Sequence, residues 1–119
     1  MPPLETSQPA EGSLLIYTVG HSNRDIAAFL ELLKEFRVNL LVDIRRFPTS
    51  KWEWFRRENL HNALEDEGIR YEYFGDMLGG FRKGGYPQHM KTPEFQRGVE
   101  ALMNLARGST VAVMCAERI

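Results

Sequence analysis

The chain has 119 residues, 43% of them apolar and 26% charged, with a formal net charge of −1. That length holds one hydrophobic core rather than two, and the composition is that of a globular domain rather than a disordered or membrane-spanning one. The near-neutral balance gives no global pull toward nucleic acid or an anionic membrane, and the single cysteine excludes an internal disulfide framework or a cysteine-rich zinc site.

Residues 1–13 contain prolines and acidic residues but no apolar stretch of the kind a signal peptide needs. They are expected to form a flexible tail, and residues 14–119 one α/β domain, in keeping with a reducing cytoplasm. Residues 14–19 (LLIYTV) are a near-continuous apolar, β-rich run ending at Gly20, which predicts a strand covered on both faces. Ser22 then opens a capping-box pattern with Asp25, and Ile26, Phe29, Leu30, Leu33 and Phe36 recur at helical spacing. Residues 39–44 predict a second buried strand, and Pro48 breaks the chain after it. Residues 49–55 carry Lys51, Trp52, Trp54 and Phe55, and a helix over about 56–67 presents Leu60, Ala63 and Leu64, with Gly68 placed to close it.

Residues 69–74 set Ile69, Tyr71 and Tyr73 against Arg70 and Glu72, a period-two pattern with one wetter face that predicts an edge strand. Residues 75–91, with Gly75, Gly79, Gly80, Gly84, Gly85 and Pro87, predict a long loop, functional or mobile. Thr92-Pro93-Glu94 starts a helix whose buried stripe is Phe95, Val99, Leu102, Met103 and Ala106, closed by Gly108. Residues 110–114 are the last strand. The order β-α-β-α-β-loop-α-β predicts a three-layer α/β domain with a mainly parallel four-stranded sheet and helices on its faces. No helix follows the last strand. One of its faces is therefore expected to be bare, in a domain truncated at its C-terminus, and to be covered by a homodimer contact or by residues 1–13.

Each apolar run ends in a polar cluster, and in a parallel sheet these clusters share one edge, where open α/β folds place ligand sites. Gly20-His21-Ser22 joins a strand to a helix start, where backbone N–H groups and the helix dipole favour an anion and His21 can exchange a proton. Asp43 and Arg45, two residues apart, either pair with each other as a structural tie or leave Arg45 to grip a carboxylate or phosphate. Cys115 is either a small core residue or, beside a cation, a thiolate nucleophile, with Glu117 as an acid or base. The 78–86 segment, with Arg82 and Tyr86, is glycine-rich and basic without Walker spacing, and reads better as a lid than as a nucleotide cradle. Arg45, Arg46, Lys51, Arg56 and Arg57 alternate with Phe47, Trp52, Trp54 and Phe55. That pattern serves either a nucleic-acid surface or an aromatic lid beneath basic stems. His61 reads as a helix-surface histidine, and neither it nor His89 has metal-ligand spacing.

Taken together, Tyr17-Thr18-Val19-Gly20-His21-Ser22, Leu41-Val42-Asp43-Ile44-Arg45 with Pro48, Leu78-Gly79-Gly80 with Gly85-Tyr86, Thr92-Pro93-Glu94-Phe95 and Met114-Cys115-Ala116-Glu117 resemble the bacterial and archaeal domain-of-unknown-function 488 family. The family has no established activity, so the resemblance implies a small α/β protein and no particular reaction. It also implies that the Cys-Ala-Glu run continues into a second cysteine, His-Arg and a helix, a segment this chain does not contain.

The sequence thus points to a small cytoplasmic enzyme, or the remnant of one, handling an anionic and phosphate-bearing substrate as a hydrolase or transferase. Cys115, Glu117, His21 and Asp43 would be its catalytic residues, and Arg45, Ser22, Arg82 and Tyr86 would bind substrate. No metal, cofactor or membrane is called for. The alternatives are a nucleic-acid-binding module using the basic and aromatic patch, and a protein-interaction domain whose exposed final strand pairs with another chain.

Overall fold

The structure, a computed structural model, describes residues 15–20, 25–45, 55–80 and 84–115, with Cys115 described through its backbone alone. The expected tail over residues 1–13, His21 and Ser22, the basic and aromatic residues of 46–54, Arg82, Glu117 and Arg118 lie outside the described residues.

Among the described residues, four strands and five helices follow one another as β1 (Ile16–Gly20), α1 (Ile26–Glu35), β2 (Leu40–Asp43), α2 (Arg57–Asp66), β3 (Arg70–Tyr73), α3 (Gly75–Leu78), α4 (Tyr86–His89), α5 (Pro93–Gly108) and β4 (Val111–Cys115). The strands form one all-parallel sheet in the order β1-β4-β2-β3. The edge position expected for residues 69–74 is the one β3 occupies.

The last strand therefore lies in the middle of the sheet, and this corrects the expectation of a bare face. Ala112 and Met114 are fully buried in a cluster with Phe29 and Leu33 of α1 and Leu60 and Leu64 of α2. Val111 and Val113 point the other way, into a cluster with Phe95, Val99, Leu102 and Ala106 of α5. Helices laid down earlier in the chain, α1 and α2 on one side and α5 on the other, cover both faces of β4. Both edges of β4 are paired as well, one with β1 and one with β2, which removes the basis for an exposed final strand pairing with another chain.

Local chemistry accounts for the element ends. The N-cap of α1 is Asp25 rather than Ser22: its Oδ1 accepts from the Ala28 N–H at 2.7 Å, and the helix begins at Ile26. Both α1 and α2 end in a Schellman motif. In α2, Gly68 at φ +75° lets Ile69 N–H reach the Leu64 carbonyl at 2.9 Å. In α1 the same left-handed position is held by Arg37, at φ +58°, with Val38 N–H on the Leu33 carbonyl. A side chain there costs about 1 kcal/mol relative to glycine.

Thr92 caps α5 as expected, its hydroxyl accepting from the Phe95 N–H at 3.2 Å. Met103 falls outside the buried stripe and is 39% exposed, whereas Ala101 and Leu105 pack inward. Residues 75–91 are not one long loop, since the short helices α3 and α4 occupy both ends of that segment.

Candidate functional site

In a parallel sheet the carboxyl ends of the strands share one edge, and the register here makes that alignment close. Gly20 pairs with Cys115, and Asp43 pairs with both Met114 and Tyr73. The backbone positions from which His21, Cys115 and Arg45 depart are thus set along one line. The side chains of His21, Ser22, Cys115 and Glu117 are outside what the structure describes.

The best-defined constellation at that edge is built on Asp43, the last residue of β2. It is fully buried, and its carboxylate accepts four hydrogen bonds. Oδ1 takes the Arg45 N–H at 3.0 Å and Arg45 Nε at 2.8 Å, and Oδ2 takes Arg45 Nη2 at 2.8 Å and the Tyr71 hydroxyl at 2.6 Å. The fork-on-fork contact with the guanidinium is the strong, geometrically specific form of ion pair. Arg45 is itself only 3% exposed, and its Nη1 donates to the Phe55 carbonyl at 2.7 Å. Of the two arrangements open to Asp43 and Arg45 in the sequence, the pair bonded to each other is the one formed. Its third arm ties the start of α2 to the end of β2, so the two ends of the 46–54 segment meet at Arg45.

Tyr71 is a participant the sequence reading left unassigned. Its inward position in the alternating strand was legible, but its partner comes from the neighbouring strand. Burial, with the Asp43 charge and hydrogen bond adding to it, pushes the Tyr71 hydroxyl well above its ordinary value of 10.0. The unfolded chain releases this proton first. Stability should therefore be full below about pH 10 and fall as pH rises beyond it. Urea unfolding between pH 8 and 11 should show that decline, and Tyr71→Phe should flatten it; an unchanged slope in the variant would contradict the assignment.

His61 is more than a surface histidine. Its ring stacks on Tyr71 at 5.0 Å between centroids, and Nε2 pairs with Glu65 at 2.8 Å. The i,i+4 spacing of His61 and Glu65 was the available signal for that pair. Together they border an open groove of about 630 Å³ that also touches Arg70, Tyr71 and Glu72.

Beyond β3, Tyr86 donates its hydroxyl to the Leu78 carbonyl at 2.7 Å, and His89 Nε2 donates to the Met77 carbonyl at 2.6 Å. Tyr86, His89 and Phe95 pack ring against ring, which ties α4 to α3 and to the first turn of α5. His89 is 7% exposed, a core role its sequence context did not announce. These contacts anchor the two described ends of the 75–91 segment.

Two members of the expected basic and aromatic patch are interior. Arg45 is held by Asp43, and Phe55 is fully buried against Phe29 at 5.1 Å between ring centroids. Arg56 and Arg57 are exposed, with the Arg57 guanidinium 4.2 Å from the centre of the Tyr73 ring. At the start of α1, the Asp25 carboxylate rather than an external anion takes the Ala28 N–H. Among the described residues no group of three or more His, Cys, Asp or Glu is placed to hold a metal ion, and no helix is long and apolar enough to cross a membrane.

Residues 25–119 match the family model described as domain of unknown function DUF488, and the chain belongs to that family. Comparison with curated proteins and with solved structures finds no match to either.

Proposed function

We propose that this member of the family is a small enzyme acting on an anionic, phosphate-bearing substrate at the carboxyl edge of its sheet. The observation that carries the reading is the common register of the four strand ends, which sets Gly20 beside Cys115 and Asp43 beside Met114. Ligand sites in open parallel sheets lie outside such an edge.

In this reading Cys115 is the nucleophile, and His21 or Glu117 supplies and removes the proton. Ser22, Arg82 and Tyr86 contact the substrate. Asp43 and Arg45 act through position: a carboxylate with four donors on it serves poorly as a base, but it fixes the β2 end and the entry to α2. Their contribution is rigidity of the platform on which the reacting groups sit.

Titration of the ¹⁵N-labelled chain with inorganic phosphate and then phenyl phosphate tests the reading. The amide signals of Gly20, Ile44, Phe74 and Cys115 should move together and saturate. Shifts that are absent, or that are confined to the exposed face of α5, would contradict it.

A further inference from the structure

Among the described residues no strand pairs with the outer side of β3, and we propose that this self-complementary edge pairs with the same strand of a second copy of this chain. β3 is the outermost strand of the sheet on the α2 side. Arg70 N–H bonds to the Asn39 carbonyl and Phe74 N–H to the Asp43 carbonyl, both toward β2. The alternation of a strand then directs the Tyr71 N–H and carbonyl away from β2, toward the open side. Tyr71, with Arg70 and Glu72 on either side of it, also lines the groove that His61 and Glu65 border.

Charge chooses the occupant. Arg70 and Glu72 flank Tyr71 on one face, with side chains 62% and 42% exposed. An antiparallel partner centred on Tyr71 places Arg70 opposite Glu72 of the second copy, and Glu72 opposite its Arg70. Both cross-strand pairs are then attractive. A parallel copy in the same register would set Arg70 against Arg70 and Glu72 against Glu72. A foreign strand carrying charges of one sign would meet one like charge.

The same two-fold axis makes the contact isologous and closed, as in most homodimers. Arg70 and Glu72 already face each other within one chain at 3.5 Å. Exchanging that exposed pair for two intermolecular ones gives up little, because exposed pairs are worth little. The product is a continuous eight-stranded sheet, with α2 of each copy on the same face. This interface differs from the one expected through β4, which the structure shows to be covered.

Sedimentation velocity on the full chain, over a concentration series at low and high salt, tests the proposal. A monomer–dimer equilibrium that weakens with salt is expected. Arg70→Glu and Glu72→Arg should each weaken dimerisation by roughly tenfold or more, because symmetry doubles every change. The variant carrying both substitutions restores the opposite-charge pairs and should restore the dimer. Both side chains are exposed, so circular dichroism should show the native fold throughout. A chain that stays monomeric up to about 1 mM overturns the proposal, as does a dimer indifferent to the single substitutions or one the double substitution fails to rescue.

Discussion

Asp43→Ala is expected to lower stability by about 3–5 kcal/mol, a large share of the 5–15 kcal/mol typical of a domain. The substitution removes the acceptor of four hydrogen bonds and leaves the Arg45 guanidinium, 3% exposed, with its charge unmatched. It also strands the Tyr71 hydroxyl. The loss reflects an uncompensated buried charge more than the net worth of the pair. Asp43→Ala combined with Arg45→Met should therefore cost less than Asp43→Ala alone. Urea unfolding of the two variants checks this. A loss below about 1 kcal/mol for Asp43→Ala would mean that water reaches the guanidinium and the pair is not interior.

Gly75→Ala is expected to be the other severe change, at about 3 kcal/mol or beyond. A Cβ at this position would overlap the Arg45 carbonyl oxygen and the Tyr73 ring. The backbone oxygen cannot swing aside as a flexible side chain does, so the start of α3 or the end of β2 would have to move. Gly98 is a milder case, since the nearest atoms to its Cβ, at 2.8 Å, belong to the Leu78 and Met77 side chains. Gly108, with nothing within 4 Å, should accept alanine at no cost or with a small gain in helix stability. The ranking Gly75, Gly98, Gly108 in thermal unfolding is the checkable result, and a Gly75→Ala midpoint equal to that of Gly108→Ala would refute the close approach.

Gly75 and Arg45 in contact, and Tyr71 on Asp43, are also what the sequence could not show. Periodicity revealed the four strands, the long helices and the edge character of β3, because each depends on residues a few positions apart. The parallel arrangement followed from alternation, and with it the shared edge where the candidate residues depart. Strand order was not legible, and the misjudged β4 came from that: adjacency in sequence suggested a bare strand, while insertion between β1 and β2 gave it two roofs. Asp25 displaced Ser22 as the cap because either residue can serve, and only the backbone path into α1 decides. The short helices α3 and α4 were hidden by glycine content, although Tyr86, His89 and Phe95 stabilise them through tertiary contacts.

If the carboxyl edge of the sheet is a reactive site, Cys115 is the group that reports it. It is the single cysteine of the chain, so alkylation reports on one position. Iodoacetamide labelling rates should be measured from pH 5 to 9 on the native and the urea-unfolded chain, with and without inorganic phosphate. The native thiol should react faster near neutral pH than the unfolded one, with a midpoint below the ordinary thiol value of about 8.5, and phosphate should slow it. A thiol that reacts only after unfolding would rule out a reactive edge and make Cys115 a residue of the core.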